Sequence, residues 1–229
     1  MTVLGILGAG QVGSVLAAAA IGAGWDVVIA NSRGPATLAG LARRLGPRAR
    51  AARAEEAAEA ADLVLLAFPY AAGTPLPVRE LTGKVVIDNN NHMVWRDGII
   101  PEVDSGRRTV HELRQAQLPG AAVVAAFTHV QFHARPVIRV PADELPALVR
   151  LARPAGAPDR RALAVAGDHA EAVEAVTRFA DDLGFDAVHA GPLRDSWRFG
   201  PGTPVWRHAI DGRTRDALVH DLAAATRPR

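Results

Sequence analysis

The 229-residue sequence has no cysteine, a single lysine, Lys84, and a single tyrosine, Tyr70. Without cysteine the chain can form no disulfide, no thiolate metal site and no thiol nucleophile, so we expect a reducing compartment such as the cytoplasm. Little titrates between neutral pH and about 10, so a formal net charge of +2 is enough to give a pI of 9.8. The high pI therefore does not by itself indicate a nucleic-acid-binding protein.

Signals for nucleic-acid, membrane and metal binding are also missing. The arginines are scattered among acidic residues without interleaved aromatic side chains, which predicts no nucleic-acid partner. The segment 1–25 carries no charged side chain, but glycines divide it and no basic segment precedes it, so we expect neither a signal peptide nor a membrane span. No histidine pair has metal-ligand spacing backed by a carboxylate, and no hydrolase nucleophile motif is present, so we predict no metal and no hydrolase.

Apolar segments of strand length alternate with helical patterns over positions 1–130. Strands are predicted at 2–7, 25–30, 48–53, 62–69, 84–91 and 121–130, and the main helices between them at 11–22, 35–46, 54–61 and 109–117. This alternation predicts an α/β fold with a Rossmann-type, doubly wound parallel sheet. A further β–α–β unit at 162–193 and a terminal helix predict a small C-terminal α/β portion. We therefore divide the chain into an N-terminal domain, 1–135, and a C-terminal portion, 136–229.

A glycine-rich turn follows the first predicted strand and opens the first helix. Gly8, Gly10 and Gly13 form the pattern G-x-G-x-x-G in the context that a dinucleotide-binding site requires. The first glycine allows the tight turn, the second lets the backbone approach a pyrophosphate, and the third lets the helix pack closely on the strand. A glycine-rich turn without a ligand is the alternative interpretation.

The end of the second strand indicates which dinucleotide binds. NAD-binding chains place an acid here to hold the ribose hydroxyls, but this chain has Asn31, Ser32 and Arg33. A serine hydroxyl and a planar guanidinium suit a 2′-phosphate, and a helix beginning near Pro35 would add free N–H groups. These features predict NADP(H) as the cofactor, with a plain solvated turn as the alternative.

Polar and aromatic residues lie at the carboxyl ends of the fourth, fifth and sixth predicted strands. Ligands of open α/β sheets bind beyond these carboxyl ends. The residues there are Phe68, Pro69, Tyr70, Asn89, Asn90, Asn91, His92, Thr128 and His129. The first three are expected along the nicotinamide ribose and ring. For the asparagines, the formation of a turn remains the alternative to contact with a ligand. His129 is the candidate catalytic residue, as a hydrogen-bond or proton donor, with a structural histidine bonded to backbone as the equal alternative.

The sequence resembles the coenzyme F420-dependent NADP oxidoreductase family over nearly its whole length. The segments that carry the resemblance are GILGAGQVG, NSRGPATL, DLVLLAFP, KVVIDNNN, RDG at 96–98, LARPAGAPDRRALAVAGD and GPL at 191–193. The resemblance implies a homodimer that transfers a hydride between C4 of nicotinamide and C5 of a deazaflavin, mainly by stacking the two rings. The implied and predicted cofactor-binding residues together are Gly8, Ala9, Gly10, Gln11, Val12, Asn31, Ser32, Arg33, Phe68, Pro69, Tyr70 and Asn89.

Two segments depart from the family pattern, and both border the expected second-substrate pocket. They are HMVWRDG after the asparagines and FTHVQFH after the sixth strand. The departures leave open an NADPH-dependent reductase of a small conjugated metabolite, an imine or enone, and, less favoured, a non-enzymatic NADP(H) sensor. An arginine cluster at the pocket mouth, for which Arg135 and Arg139 are candidates, would favour the deazaflavin. The predicted substrate-binding residues are Asn90, His92, Trp95, Thr128, Trp197 and Phe199. We accordingly predict that 1–135 is the NADP-binding domain and that 136–229 is the substrate-pocket and dimerisation portion.

Overall fold

An eight-stranded sheet forms the centre of the structure. The computed structural model describes residues 2–132, 146–208 and 210–227. The strands are β1 Val3–Leu7, β2 Asp26–Ala30, β3 Ala49–Ala51, β4 Leu63–Leu66, β5 Val85–Asp88, β6 Ala122–Ala125, β7 Ala162–Gly167 and β8 Asp186–His189. Their order across the sheet is β3-β2-β1-β4-β5-β6-β7-β8. The predicted Rossmann-type α/β fold is therefore confirmed.

The strand directions divide the sheet into two parts. Strands β1 to β6 run parallel to one another, as predicted. Strand β7 joins β6 in the antiparallel direction through the pairs Val124–Gly167 and Ala125–Ala166, and β8 then runs parallel to β7. The predicted C-terminal unit thus continues the sheet. The predicted division between residues 135 and 136 lies outside the described residues and stays a prediction.

Helices connect the strands and cover both faces of the sheet. They are α1 Gln11–Gly22, α2 Ala39–Leu45, α3 Ala54–Ala60, α4 Val78–Leu81, α5 Val94–Asp97, α6 Pro101–Asp104, α7 Val110–Gln117, α8 Ala147–Arg150, α9 Ala170–Asp182 and α10 Arg215–Ala223, with 3₁₀ turns at Pro35–Leu38, Leu193–Phe199 and Trp206–His208. The helix predicted at 35–46 is one 3₁₀ turn followed by α2. None of the described helices is long and apolar enough to cross a membrane.

Alternate residues of the central strands enter two separate apolar cores. Leu4 and Ile6 of β1 pack in one core with Leu16 of α1 and Phe179 of α9. Leu7, at the end of the same strand, belongs to the core on the other face, which also holds residues of α3 and α10. A strand that is buried on both faces has an almost continuous run of apolar residues in its sequence. This double burial explains why the segment 1–25 is free of charged side chains.

The strands that precede the site end earlier than the sequence predicts. Strands β4, β5 and β6 stop at Leu66, Asp88 and Ala125, and the polar and aromatic residues that follow them leave the ladder. Shortly after β6, Phe127 has a left-handed backbone with a φ of 58°. Such a conformation is uncommon outside glycine and is found most often where surrounding structure imposes it.

His129 connects the chain that follows β6 to the middle of β7. Its side chain is buried, and its Nε2 accepts a hydrogen bond of 3.1 Å from the backbone N–H of Ala164. Its ring also lies 5.4 Å from that of Phe199. Burial lowers the pKa of His129 from 6.5 to about 4. This geometry favours the structural alternative that the sequence left open, and a catalytic role for His129 stays a prediction.

The depressed pKa of His129 predicts a loss of stability in mild acid. The unfolded chain takes up a proton near pH 6.5, whereas the folded chain resists protonation down to about pH 4. The stabilisation is therefore present above pH 6.5 and is lost as the pH falls toward 4, by about 3 kcal/mol in total. Urea unfolding at pH 7, 6 and 5 measures this slope.

The variant His129→Gln provides the comparison, because a glutamine oxygen can accept the Ala164 N–H without titrating. Between pH 6.5 and 4 its stability should fall less steeply than that of the wild type, by about 1.4 kcal/mol per pH unit. Identical slopes for the two proteins would show that His129 is not the group responsible.

Candidate active site

Two adjoining cavities lie along the carboxyl edge of the parallel strands. The glycine-turn cavity, about 590 Å³, is lined by residues that include Gly8, Ala9, Gly10, Asn31, Ser32, Arg33, Phe68, Pro69 and Leu76. The central cavity, about 470 Å³, is lined by residues that include Val12, Phe68, Pro69, Asn89, Asn90, Asn91, Arg96, Phe127, Thr128, Phe132 and Trp206. The two cavities share Ala67, Phe68 and Pro69. A ligand can therefore extend from one into the other.

The glycine turn has the geometry that a pyrophosphate site requires. Gly8 has a φ of 112°, and a Cβ there would lie 2.6 Å from the carbonyl oxygen of Ala67. A Cβ on Gly13 would collide with the carbonyl oxygen of Gly8. At Gly10, by contrast, no described atom lies within 4 Å of the Cβ position, which opens on the cavity at the N-terminus of the 12-residue helix α1. The turn therefore fits a phosphate group.

The turn after β2 is held in place by its own side chains. Asn31 donates to the Thr37 hydroxyl at 2.9 Å and accepts from the backbone N–H of Arg33 at 3.0 Å. Thr37 in turn donates to the carbonyl of Gly34 at 2.8 Å. Ser32 and Arg33 are exposed and line the glycine-turn cavity. Asn31 therefore shapes the turn, and the next two side chains remain available to a ligand in the cavity.

The asparagines after β5 have two different roles. Asn89 donates to the carbonyl of Phe127 at 2.5 Å, and Asn91 donates to the carbonyl of Thr128 at 2.7 Å. These two amides join the end of β5 to the residues after β6. Asn90 between them is buried, and its Nδ2 has no hydrogen-bond partner among the described residues. Two asparagines of this run therefore join neighbouring chain segments instead of shaping a local turn, and the third has a side-chain amide available for a ligand.

Arg96 is the one charged residue among the described lining of the central cavity, and its charge is already paired. Its Nε donates to Asp97 at 2.6 Å. Burial alone would raise the pKa of the Asp97 carboxyl, but hydrogen bonds from Arg96 and the Met93 N–H outweigh it and hold the pKa below its usual range. The remaining described lining is aromatic, aliphatic, amide or hydroxyl in character, with the thioether of Met93.

The structure distributes the other predicted site residues over several places. Val12 lines the central cavity, and Gln11 donates to the Phe132 carbonyl at 3.3 Å. Of the predicted substrate residues, Asn90 and Thr128 line the central cavity, whereas His92 and Trp197 line a third cavity behind it. Trp95 is 82% exposed, and Phe199 is fully buried against His129. Tyr70 lines none of these cavities. Arg135 and Arg139 lie outside the described residues.

A buried charged network behind the site is absent from the sequence predictions. Arg114 of α7 is fully buried, with its Nε 3.7 Å from Oδ1 of Asp88, and Asp88 Oδ2 lies 3.0 Å from Nδ1 of His111. The guanidinium carbon of Arg114 lies 5.2 Å from the ring centroids of both Phe68 and Tyr70. The sequence did contain one indication that Arg114 is buried. It lies one helical turn after Val110, on the apolar face of the predicted helix.

Helix α7 thereby supports the loop after β4, which lines both cavities. Arg114 donates to Gln117 at 2.8 Å, and Gln117 donates to the carbonyls of Ala71 and Ala72 at 3.1 and 3.2 Å. Because Phe68 lines both cavities, its cation–π contact with Arg114 fixes a surface that a ligand would touch. Arg114 is a positioning residue in this arrangement, since it lines neither cavity.

Replacement of Arg114 by methionine should destabilise the fold by about 3 kcal/mol, because it leaves the buried Asp88 carboxylate without its guanidinium. The double variant Asp88→Asn, Arg114→Met should lose less than the sum of the two single variants. Urea unfolding measures all three. Arg178→Met is the matched control, since Arg178 forms an exposed pair with Glu174 and should change stability by less than about 0.5 kcal/mol. Additive losses at Asp88 and Arg114 would contradict the proposed coupling.

Among the described residues there is no group of three or more histidine, aspartate or glutamate side chains that could hold a metal ion.

Comparison with known proteins places this geometry in a family. A model of the family described as NADP oxidoreductase, coenzyme F420-dependent, matches residues 3–92. The crystal structure of the hypothetical protein SMa0349 from Sinorhizobium meliloti has a TM-score of 0.66 and 31% identity, covering 90% of this chain and 93% of that one. A candidate F420-dependent NADP reductase from Arthrobacter sp. FB24 has a TM-score of 0.62 and 25% identity, covering 84% and 86%.

Two further likenesses are narrower. The protein YjhV of Escherichia coli (strain K12) is 47% identical over 53 residues, which span 23% of this chain and 39% of that protein. An imine reductase from Myxococcus stipitatus in complex with NADP⁺ shares the fold, with a TM-score of 0.52 and 18% identity over 98% of this chain and 60% of that one. The family model matches residues 3–92, and the crystal structure described as a candidate F420-dependent NADP reductase covers 84% of this chain at 25% identity. On these two findings the chain belongs to the NADP oxidoreductases described as coenzyme F420-dependent.

Proposed function

We propose that the protein transfers a hydride between NADP(H) and a deazaflavin, coenzyme F420, whose rings stack in the central cavity. The observation that carries this proposal is the continuity of two cavities. The glycine-turn cavity fits a dinucleotide phosphate, and it opens at Phe68 and Pro69 into a cavity with aromatic and aliphatic walls. Membership of an enzyme family leaves the sensor hypothesis without support. The homodimer implied by the resemblance remains part of the proposal.

The cofactor would lie along the carboxyl edge of β1, β2 and β4. The backbone of Gly8, Ala9 and Gly10 and the N-terminus of α1 would hold the pyrophosphate. Ser32 and Arg33 would hold the 2′-phosphate through a hydroxyl and a guanidinium. Phe68 and Pro69 would lie against the nicotinamide, with Asn89 fixing the opposite wall through its bond to Phe127.

The walls of the central cavity suit a reaction whose rate depends on the distance between two stacked rings. Val12, Phe127, Val130, Phe132 and Trp206 present apolar surfaces that exclude water and restrict the tilt of a flat ring. When the two substrates are bound, a hydride passes between nicotinamide C4 and deazaflavin C5, and a solvent proton balances the reduction of the deazaflavin. The residues of this chain contribute mainly by fixing the separation and orientation of the rings.

A second candidate is an NADPH-dependent reductase of a small conjugated metabolite, an imine or enone. The buried Asn90 favours it, because Asn90 lines the central cavity and its Nδ2 has no hydrogen-bond partner among the described residues, so that a substrate carbonyl could accept from it. The departures in HMVWRDG and FTHVQFH point the same way, since Met93, Arg96, Thr128 and Phe132 of these segments line this cavity.

The choice of NADP(H) predicts a selective effect at the end of β2. Arg33→Ala should weaken NADPH binding by about 1–3 kcal/mol, because it removes a charge-assisted contact with the 2′-phosphate. NADH, which lacks that phosphate, should bind with unchanged affinity. Isothermal titration with both nucleotides measures the difference.

Arg43→Ala is the matched control, since Arg43 is an exposed arginine of the neighbouring helix α2 and lines neither cavity. It should leave both affinities as they are in the wild type. Equal losses of NADPH and NADH affinity in Arg33→Ala would overturn the role assigned to Arg33.

The identity of the acceptor is tested by mixing the purified protein with NADPH and oxidised deazaflavin and following the loss of deazaflavin absorbance. We expect turnover, and we expect Trp206→Leu to raise the KM for the deazaflavin more than the KM for NADPH, because Trp206 lines the central cavity only. Tight NADPH binding without deazaflavin turnover would refute the first candidate. Oxidation of NADPH by cyclic imines or enones in the same preparation would then support the second.

A further inference from the structure

A third cavity, the rear cavity, lies behind the asparagines that follow β5. It measures about 590 Å³ and lies between the segment of α5 and α6, helix α7 and the 3₁₀ turn Leu193–Phe199. Asn90 and Asn91 line both the rear cavity and the central cavity. Phe68 and Pro69, against which the nicotinamide would lie, line the central cavity and the glycine-turn cavity. The asparagines therefore form a wall between the rear cavity and the proposed reaction site.

Two buried side chains of the rear-cavity lining, those of Asn90 and Ser196, have a polar atom without a hydrogen-bond partner among the described residues. The Nδ1 of His92, a third lining residue, also has no hydrogen-bond partner among the described residues, although it lies 3.6 Å from the Asp97 carboxylate. Asn90 is 5% exposed and Ser196 is 3% exposed. Neither Nδ2 of Asn90 nor Oγ of Ser196 has a partner among the described residues. A buried polar group that bonds nothing destabilises the fold, so most such groups in native proteins have a partner. Two of them on one cavity indicate that a ligand provides the missing contacts.

The chemistry of the free groups specifies what the ligand presents. Asp104, an acid of the lining, is already engaged, because its Oδ1 lies 3.0 Å from Nε2 of His92 and its Oδ2 accepts from the Ile100 N–H at 2.7 Å. His111 is directed through Nδ1 to Asp88. The amide N–H₂ of Asn90 remains as a donor, and the hydroxyl of Ser196 can donate or accept. A ligand with two oxygen acceptors, such as a carboxylate, satisfies both groups at once.

The rest of the lining suits a flat apolar body. Trp197 is half-buried, and the guanidinium carbon of Arg227 lies 5.3 Å from its ring centroid, which places a cation at the mouth beside an aromatic face. Val94, Val103 and Val110 supply aliphatic walls. Arg108 adds a second positive charge to the lining, although it already donates to the Glu112 carbonyl.

We propose that the rear cavity is a second ligand site that binds a planar aromatic carboxylate. Its carboxylate accepts hydrogen bonds from Asn90 and Ser196, and its ring packs beside Trp197. The site goes beyond the hydride transfer proposed above and does not depend on it, because it lies on the other side of the Asn90–Asn91 wall.

The test uses the full chain and indole-3-carboxylate as the probe, with indole as the matched compound that lacks the carboxylate. Two tryptophans report on the two cavities separately, because Trp197 lines the rear cavity and Trp206 lines the central one. Their indole N–H signals in a ¹H–¹⁵N spectrum are assigned with Trp197→Phe and Trp206→Phe. We expect a saturable shift of the Trp197 signal, an unchanged Trp206 signal, and binding of indole that is at least about 10-fold weaker.

Ser196→Ala should weaken probe binding about 10-fold, because one hydrogen bond to a charged group is lost. Ser14→Ala is the matched control, since Ser14 lies in α1 and lines none of the three cavities. Saturating NADPH should leave the probe bound. The proposal is overturned by the absence of a saturable shift, by a shift of Trp206 instead of Trp197, by displacement of the probe by NADPH, or by equal affinities in the two serine variants.

Discussion

The side-chain amides of Asn89 and Asn91 hold together the part of the molecule on which the site depends. The backbone ladder between β5 and β6 stops at Asp88 and Ala125. Beyond it, the two amides bond to the carbonyls of Phe127 and Thr128 and keep the diverging chains together. The left-handed backbone of Phe127 is sustained by this bridge. Without the bridge, the central cavity would lose one wall and the rear cavity would lose its boundary.

The glycine turn and the loop after β4 are supported from opposite directions. The turn is fixed by the close approach of Gly8 to Ala67 and of Gly13 to Gly8. The loop is fixed by α7, through the stacking of Arg114 on Phe68 and the bonds of Gln117 to the backbone. The edge of the sheet at which the cofactor would bind therefore rests on two structural features. One is the close packing of the glycine turn, and the other is the buried pair of Arg114 in α7 and Asp88 at the end of β5.

The sequence was informative where local rules determine the outcome. Gly8, Gly10 and Gly13 each have the conformation or packing that their spacing predicts. That Asn90 lines two cavities could not be predicted, because it depends on how distant parts of the chain enclose them. The pairing of Arg114 with Asp88 joins a helix to a strand, and helical periodicity gives only the buried face. The contact of His129 with Ala164 depends on β7, a strand that lies far along the chain from that histidine, and no local pattern specifies it.

The two outer strands determine how copies of this protein can meet. Strand β3 is short, with an exposed Arg50 at its centre, and β8 is also short, with Asp186 paired to Arg160 and His189 exposed. Short edges with charged or polar side chains resist pairing with another sheet. An assembly that extended the sheet from one molecule into the next would have to desolvate those side chains. Any homodimer is therefore expected to use helical or loop surfaces, and the two outer strands should remain single in it.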